Sequence, residues 1–166
     1  MQITEALLSE PGEIRRFVQQ AVDHWPRLQA FHFTLHSAEG NINGQQIHAF
    51  CTSFYERITE HNHTTSPSSP VVLRWLREQH GGATMRCLLL LSQTIICHPR
   101  ASATVDKECS QVVDLLQQTW RVISAGGQCR VERCFRVARG DTSGQYVALK
   151  TVAQSLMPLV IATITR

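Results

Sequence analysis

The chain has 166 residues, of which 43% are hydrophobic and 17% charged, and its formal net charge is +3 at pH 7. This length provides apolar material for one core and is short for two, so a single domain over 1–166 is predicted. Apolar runs stay well below the roughly 18 residues of a membrane span, and the first residues do not resemble a secretory leader. A cytoplasmic protein without a membrane partner is expected.

Cysteines and arginines give two further indications. Six cysteines could form three disulfides in an oxidising compartment, but without a leader reduced and buried thiols are favoured. Nearly all the cations are arginines, with only Lys107 and Lys150 as lysines. The planar guanidinium suits phosphate recognition, although a small positive balance is equally typical of an ordinary solvated surface.

The first half of the chain alternates between helical and strand patterns. Apolar residues at three- and four-residue spacing predict a helix from Pro11 to Trp25, which Pro26 ends. A period of two predicts a half-buried strand over Leu28–His36. Helical spacing returns over Ile47–His61.

A polar loop over 62–70 separates this helix from the second half. The apolar run Met85–Ser92 is typical of a central strand that is covered on both faces. The strongest helical stripe runs from about Thr104 to Ser124. The other predicted elements are, in order, a strand Val71–Glu78, a strand Gln128–Ala138, a helix from a cap at Asp141 or Ser143 to Leu156, and an edge strand Leu159–Thr165.

The order of these elements predicts an α+β fold. Residues 28–138 read as a ferredoxin-like β-α-β-β-α-β core, an antiparallel sheet with two helices on one face. The N-terminal helix and the C-terminal helix and strand are additions to this core. The other face of the sheet is expected to be open to a partner. This fold serves RNA-binding domains, metal-binding modules and replication nucleases, so architecture alone does not select a function.

Three segments resemble the inovirus-type replication-initiation proteins of phages and prophages, the YagK/YfjJ domain family. His24 to His36 resembles the opening His-Pro-Arg segment and first strand of that family. Val72 to Gln79, with Trp-Leu-Arg-Glu-Gln, resembles the strand before the family's histidine motif. Cys87 to Ser92 and Gln117 to Trp120 resemble its apolar strand and its helix ending in Gln-Gln-x-Trp. The resemblance covers residues 14–125.

The resemblance implies rolling-circle endonuclease chemistry. In the family, two histidines one residue apart on a strand bind a divalent metal, and a tyrosine on a nearby helix attacks a DNA phosphate. Here those two positions hold Met85 and Cys87, soft side chains that are poorly suited to magnesium or manganese. Glu78 would have been a third ligand, and Tyr146 would be the nucleophile only if activity survived. No metal and no cofactor are therefore expected.

Other candidate sites are read from the residues themselves. His32 and His36 share a strand face, but they lie four residues apart and a third metal ligand is not evident. Cys129 and Cys134 are separated by an odd number, which places them on opposite faces of a strand and disfavours zinc. Cations on strands, strand ends or the last helix are the candidate nucleic-acid-binding residues. They are Arg74, Arg77, Arg86, Arg130, Arg133 and Lys150.

Three functions are compatible with this sequence. The leading hypothesis is a non-catalytic, prophage-encoded relative of a replication initiator that binds nucleic acid through an arginine-bearing sheet face. The second is a protein-interaction or regulatory module, including a self-associating or phage-defence protein, whose partner covers the apolar face of Met85, Cys87, Leu89 and Leu91. The third is a metal-dependent DNA-nicking enzyme that uses Tyr146.

Overall fold

A computed structural model describes residues 1–65, 70–79, 81–96, 105–140 and 144–165. Within these ranges the chain forms six strands and five helices, and none of the helices is long and apolar enough to cross a membrane. The elements are, in order, β1 (Gln2–Leu8), α1 (Pro11–His24), β2 (Arg27–His36), α2 (Gly44–Thr65), β3 (Leu73–Glu78), β4 (Thr84–Ser92), α3 (Gln93–Ile96), α4 (Val105–Ile123), β5 (Gln128–Ala138), α5 (Gln145–Ser155) and β6 (Leu159–Thr165).

The strands form one sheet in the order β1-β6-β3-β4-β2-β5, and every neighbouring pair is antiparallel. The four strands β3-β4-β2-β5, with helices α2 and α4, form the ferredoxin-like arrangement that the element order predicts. The α+β fold class is thus confirmed. The two remaining strands extend the sheet beyond β3.

The predicted edge position of β6 is wrong, because β6 lies between β3 and β1. Strand β1 pairs with β6 from Gln2 opposite Thr165 to Leu8 opposite Leu159. The sequence does not predict β1, since most of its side chains are exposed and show no apolar alternation. Backbone hydrogen bonding to β6 supports it in place of a buried face.

Helices α2 and α4 pack on one face of the sheet, called here the first face. The core under them joins Phe33 of β2 and Trp75 of β3 to Phe50 of α2 and Trp120 of α4. Neighbouring rings meet edge to face, with centroids 5.5 Å apart in both the Phe50–Trp120 and Phe50–Trp75 pairs. The indole Nε1 of Trp120 also donates a 3.0 Å hydrogen bond to the carbonyl of His36. Helix α4 is thus fixed to the end of β2.

Helices α1 and α5 cover part of the opposite, second face. Ile14 and Val18 of α1 and Leu149 of α5 form a second buried cluster with alternate residues of the sheet. These sheet residues include Leu28, Ala30, Leu88, Leu90, Phe135 and Val137. The expectation of a wholly open second face is therefore wrong, because the two helices outside the ferredoxin-like core pack there. Strand β4, with Leu88 and Leu89 on opposite faces, is covered on both sides as predicted.

Several boundaries differ from the prediction. Helix α2 begins at Gly44 and continues to Thr65, into the segment predicted as a loop, and the short helix α3 follows β4 directly. Strand β3 begins at Leu73, two residues after its predicted start. The predicted start of α4 at Thr104 and the predicted caps of α5, Asp141 and Ser143, lie outside the described residues.

The turn after α4 allows a test of how closely Gly127 packs against the end of β2. A Cβ at Gly127 would overlap the carbonyl oxygen of His36 and the hydroxyl of Ser124, which accepts the Gly127 amide hydrogen bond at 2.8 Å. We expect Gly127→Ala to lower the free energy of unfolding by about 1–3 kcal/mol, the usual cost of overpacking. Urea denaturation monitored by circular dichroism measures this change in the free energy of unfolding.

The matched control is Gly12→Ala in the first turn of α1. A Cβ there meets no atom within 4 Å, so the unfolding midpoint should stay the same or rise slightly. If Gly127→Ala unfolded at the same urea concentration as the unsubstituted protein, the close approach of the turn to β2 would be refuted.

Candidate functional site

The uncovered half of the second face carries a group of polar side chains, called here the polar surface. It consists of His32, Thr34 and His36 on β2, Arg86 on β4, and Arg130, Glu132 and Arg133 on β5. The β2 residues and Arg86 are partly exposed, and the β5 residues are exposed. The polar surface is continuous with the apolar half under α1 and α5, since both halves use the same rows of the same strands.

Strand register brings the arginines to the β2 row from both sides. Thr34 lies opposite Arg86 on β4 and opposite Arg130 on β5. His32 lies opposite Arg133. Directly opposed residues of an antiparallel pair project to the same face, so these side chains form one patch across three adjacent strands. The strands are spaced by about 4.8 Å.

A β-bulge is the reason why Arg130 and Arg133 share a face. The register between β2 and β5 shifts between His32 and Phe33, where Glu132 is the extra residue of β5. Uninterrupted alternation along β5 would instead place Val131, Arg133 and Phe135 on one face. Val131 packs against the first-face core, whereas Phe135 belongs to the second-face core.

His32 is a half-buried ionisable group of the polar surface. Burial lowers the pKa of its imidazole; the Arg86 charge lowers the pKa further, whereas Glu132 opposes the shift. The imidazole is therefore neutral at pH 7. Its buried Nε2 has no hydrogen-bond partner within the described part of the chain.

Arg86 connects three elements at the border of the polar surface. Its guanidinium Nη2 donates to Oε2 of Glu78 and to the carbonyl of Ser155, both at 3.0 Å. The backbone amide of Arg86 donates to Oε1 of Glu78 at 2.7 Å. Glu78 on β3 and the end of α5 are thereby fixed to β4, while the Arg86 side chain stays 43% exposed.

The two arginines of β5 are held less tightly. The guanidinium carbon of Arg133 lies 4.5 Å from the ring centroid of Phe135, a cation–π distance. Arg130 Nε lies 3.5 Å from Oε1 of Glu132, and its side chain is 74% exposed. Glu132 also accepts a long hydrogen bond from the Thr34 hydroxyl. Both guanidinium groups thus keep much of their donor capacity towards solvent.

The other three predicted cations do not join the polar surface. Arg74 lies under α1, where its guanidinium carbon is 4.9 Å from the Trp25 ring centroid, and burial lowers its pKa. Arg77 lies opposite Cys87 and therefore projects to the first face. Lys150 lies on α5 with its Nζ 5.4 Å from the Tyr146 ring centroid.

The three residues proposed as a former metal site are not brought together. Met85 and Cys87 are 4% exposed and lie in the first-face core, so the exposed apolar patch predicted around them is wrong. Glu78 projects to the second face, where it binds Arg86. Burial raises the pKa of the Cys87 thiol well above its usual range, which keeps the thiol protonated.

Tyr146 lies at the opposite end of α5 from Glu78. Its hydroxyl donates to Oε1 of Gln19 at 2.6 Å, and burial together with the nearby Asp23 carboxylate raises its pKa. Ser155, which contacts Arg86, is nine residues further along α5, about 13 Å along the helix axis. A high pKa disfavours the phenolate form that a nucleophile requires.

The bulge also changes the geometry of the cysteines on β5. Cys129 and Cys134 lie opposite Leu35 and Phe31, which project to the first face, so the prediction that they face opposite sides is wrong. Both thiols are free. Among the described residues, histidine, cysteine and carboxylate side chains form no group of three that could hold a metal ion.

Sequence reasoning missed Thr34 and Glu132 as members of the polar surface, and it considered His32 and His36 only as metal ligands. The alternation of His32, Thr34 and His36 with apolar residues was the available signal. Glu132 carried no such signal, because its position depends on the bulge.

The comparisons with known proteins add one match. A family model described as "Uncharacterised conserved protein UCP030791" matches residues 1–136. The matched span includes every residue of the polar surface and ends before α5. No curated protein and no solved structure matches the chain.

The lowered pKa of His32 predicts a pH dependence of stability. The folded protein holds fewer protons than the unfolded chain at pH values between the folded pKa and the reference value of 6.5. The contribution of His32 to the free energy of unfolding is therefore fully present above pH 6.5 and decreases as the pH falls below it. In urea unfolding experiments between pH 7.5 and about 5, the free energy of unfolding of His32→Gln should therefore depend less on pH than that of the unsubstituted protein. His48→Gln, on the exposed side of α2, should keep the original slope; equal slopes for both variants would contradict the assignment to His32.

The Arg86 contacts predict a second measurable difference. Arg86→Gln should lower the free energy of unfolding by about 1 kcal/mol, because it removes a partly buried ion pair and the bond to the Ser155 carbonyl. Arg130→Gln removes only the exposed contact to Glu132 and should change stability by less than about 0.5 kcal/mol. Thermal unfolding compares the two, and equal losses would argue against the bridging role of Arg86.

Proposed function

We propose that this chain, which belongs to the family whose model spans residues 1–136, is a nucleic-acid-binding domain that takes up a single strand on its polar surface. The observation that carries the proposal is the convergence of three arginines and two histidines on adjacent strands. Arg86, Arg130 and Arg133 flank the row that contains His32 and His36. Guanidinium groups bind phosphate, and imidazole rings or guanidinium planes stack on unpaired bases.

The shape of the surface favours a single strand over a duplex. Reading a duplex groove requires a helix or a β-ribbon that protrudes into it. The polar surface is instead the exposed face of a sheet, bordered by the end of α5 where Ser155 binds Arg86. A flexible strand with splayed bases can follow such a face, as in other sheet-based binding domains.

The proposal assigns no catalysis to the domain. Met85 and Cys87 are covered by α2 and α4, and the Tyr146 hydroxyl is bonded to Gln19 at a distance from Glu78. The proposal also includes the ancestry that the sequence resemblance implies, namely that the domain descends from a phage-type replication initiator and is encoded by a prophage. In this view the domain keeps strand binding and has lost DNA nicking.

The alternative function as a protein-interaction module has less support in its original form. It required the row of Met85, Cys87, Leu89 and Leu91 as a docking face. These side chains are buried under α2 and α4. Polar and charged groups occupy the part of the second face that remains exposed. Such a surface matches the chemistry of nucleic acid more closely than that of an apolar protein partner.

Fluorescence anisotropy with a labelled single-stranded oligonucleotide across a salt series tests the proposal. The unsubstituted protein should bind with an affinity that falls as salt rises, because phosphate contacts release counterions. The double variant Arg130→Gln, Arg133→Gln should bind at least about tenfold more weakly, since hydrogen bonds to charged groups contribute about 1.5–3 kcal/mol each. Its salt slope should decrease by about two.

Arg15→Gln is the matched control, because Arg15 is an exposed arginine on α1, away from the polar surface. It changes the net charge by one and should leave the affinity almost unchanged. An affinity independent of salt, or an equal loss per charge in the control and the double variant, would refute the proposed surface. A covalent protein–DNA adduct that is lost in Tyr146→Phe would instead support a nicking enzyme.

A further inference from the structure

A groove lies beside the polar surface, where α4 meets the edge strand β5. Its volume is about 400 Å³, and its walls come from the end of α4 and from the first residues of β5. Gln117 and Arg121, one helical turn apart, contribute from α4. Gly127 contributes from the turn after α4, and Gln128 to Val131 contribute from β5.

The groove is lined by hydrogen-bond donors and positive charge. Arg121 and Arg130 are its charged residues, and both are exposed. Gln117 and Gln128 add neutral amides. Among the described residues that line it, none carries a carboxylate side chain. A cavity with this composition favours an anion with several oxygen acceptors.

The edge position of β5 adds backbone donors to this set. Within the described part of the chain, strand β5 pairs with β2 alone, so about half of its amide groups point away from the sheet. Arg130 belongs both to the groove and to the polar surface, where it lies opposite Thr34. The two sites are therefore contiguous around the edge of the sheet.

We propose that this groove binds a phosphate group of the same nucleic-acid strand after the strand has crossed the polar surface and passed over β5. The inference rests on the proposed function and extends it, because it assigns the strand a path and a second phosphate subsite centred on Arg121. A short oligonucleotide fills the polar surface alone. A longer one also reaches the groove.

The test compares oligonucleotides of about 4 and 16 nucleotides, the range of site sizes known for single-strand-binding folds. Arg121→Gln should weaken binding of the longer strand about fivefold or more and reduce its salt slope by about one. The same substitution should leave binding of the shorter strand unchanged. Arg133→Gln should weaken both, and Arg15→Gln should weaken neither. Circular dichroism confirms that each variant is folded.

The outcomes separate the two proposals. If the unsubstituted protein binds both strands and Arg121→Gln matches it on both, the groove inference fails while the proposed function stands. Equal weakening of both strands by Arg121→Gln also overturns the groove inference. If the unsubstituted protein binds neither strand, the proposed function fails, and the groove inference fails with it.

A second measurement identifies the source of the phosphate. Inorganic pyrophosphate should shift the backbone amide NMR signals of Gly127 to Val131, and Arg121→Gln should abolish those shifts. The long oligonucleotide should produce the same shifts and the short one should not. Shifts from pyrophosphate that the long oligonucleotide does not reproduce would identify a site for free phosphate compounds and overturn the inference.

Discussion

Strand β2 supports both cores and the candidate site, so its alternation is the constraint on which the other features depend. The alternate side chains Phe31, Phe33 and Leu35 are committed to the core under α2 and α4. The intervening row begins with Leu28 and Ala30, which lie under α1 and α5, and continues as the polar surface. A register slip of one residue would exchange these rows, burying imidazoles and exposing phenyl rings. Such a slip is strongly disfavoured, so the position of the site is fixed by the packing of the core.

The bulge in β5 complements this constraint. Arg130 and Arg133 are three residues apart, so in a regular strand without a bulge they would project to opposite faces, and only one of them could accompany the β2 row. The bulge gives up regular pairing at one position on an edge strand. In exchange, two guanidinium groups lie on one surface beside His32 and Thr34. Bulges and charged side chains on an edge strand also oppose association with other sheets.

How far the sequence predicts this molecule depends on how local each feature is. The elements β2, β4 and α4 were predictable because each has a strong periodicity of its own, and their order gives the ferredoxin-like core. The positions of α1 and α5 were not, since a helical stripe does not indicate which sheet face it covers. For the same reason the sequence does not indicate that α2 and α4 bury the row of Met85 and Cys87. The polar surface was visible in outline as alternating histidines, but the bulge that completes it leaves no pattern in the sequence.

The pairing of β1 with β6 joins the two ends of the described chain, with Gln2 opposite Thr165. Strand β3 meets β4 on one side and must wait for β6 on the other. During synthesis on the ribosome, the outer edge of β3 therefore stays unpaired until β6 has emerged. A strand with an open edge is prone to misassociation until its partner strand is present. Strand β1, which precedes every other strand of the described chain, also finds its pairing partner only when β6 has been made.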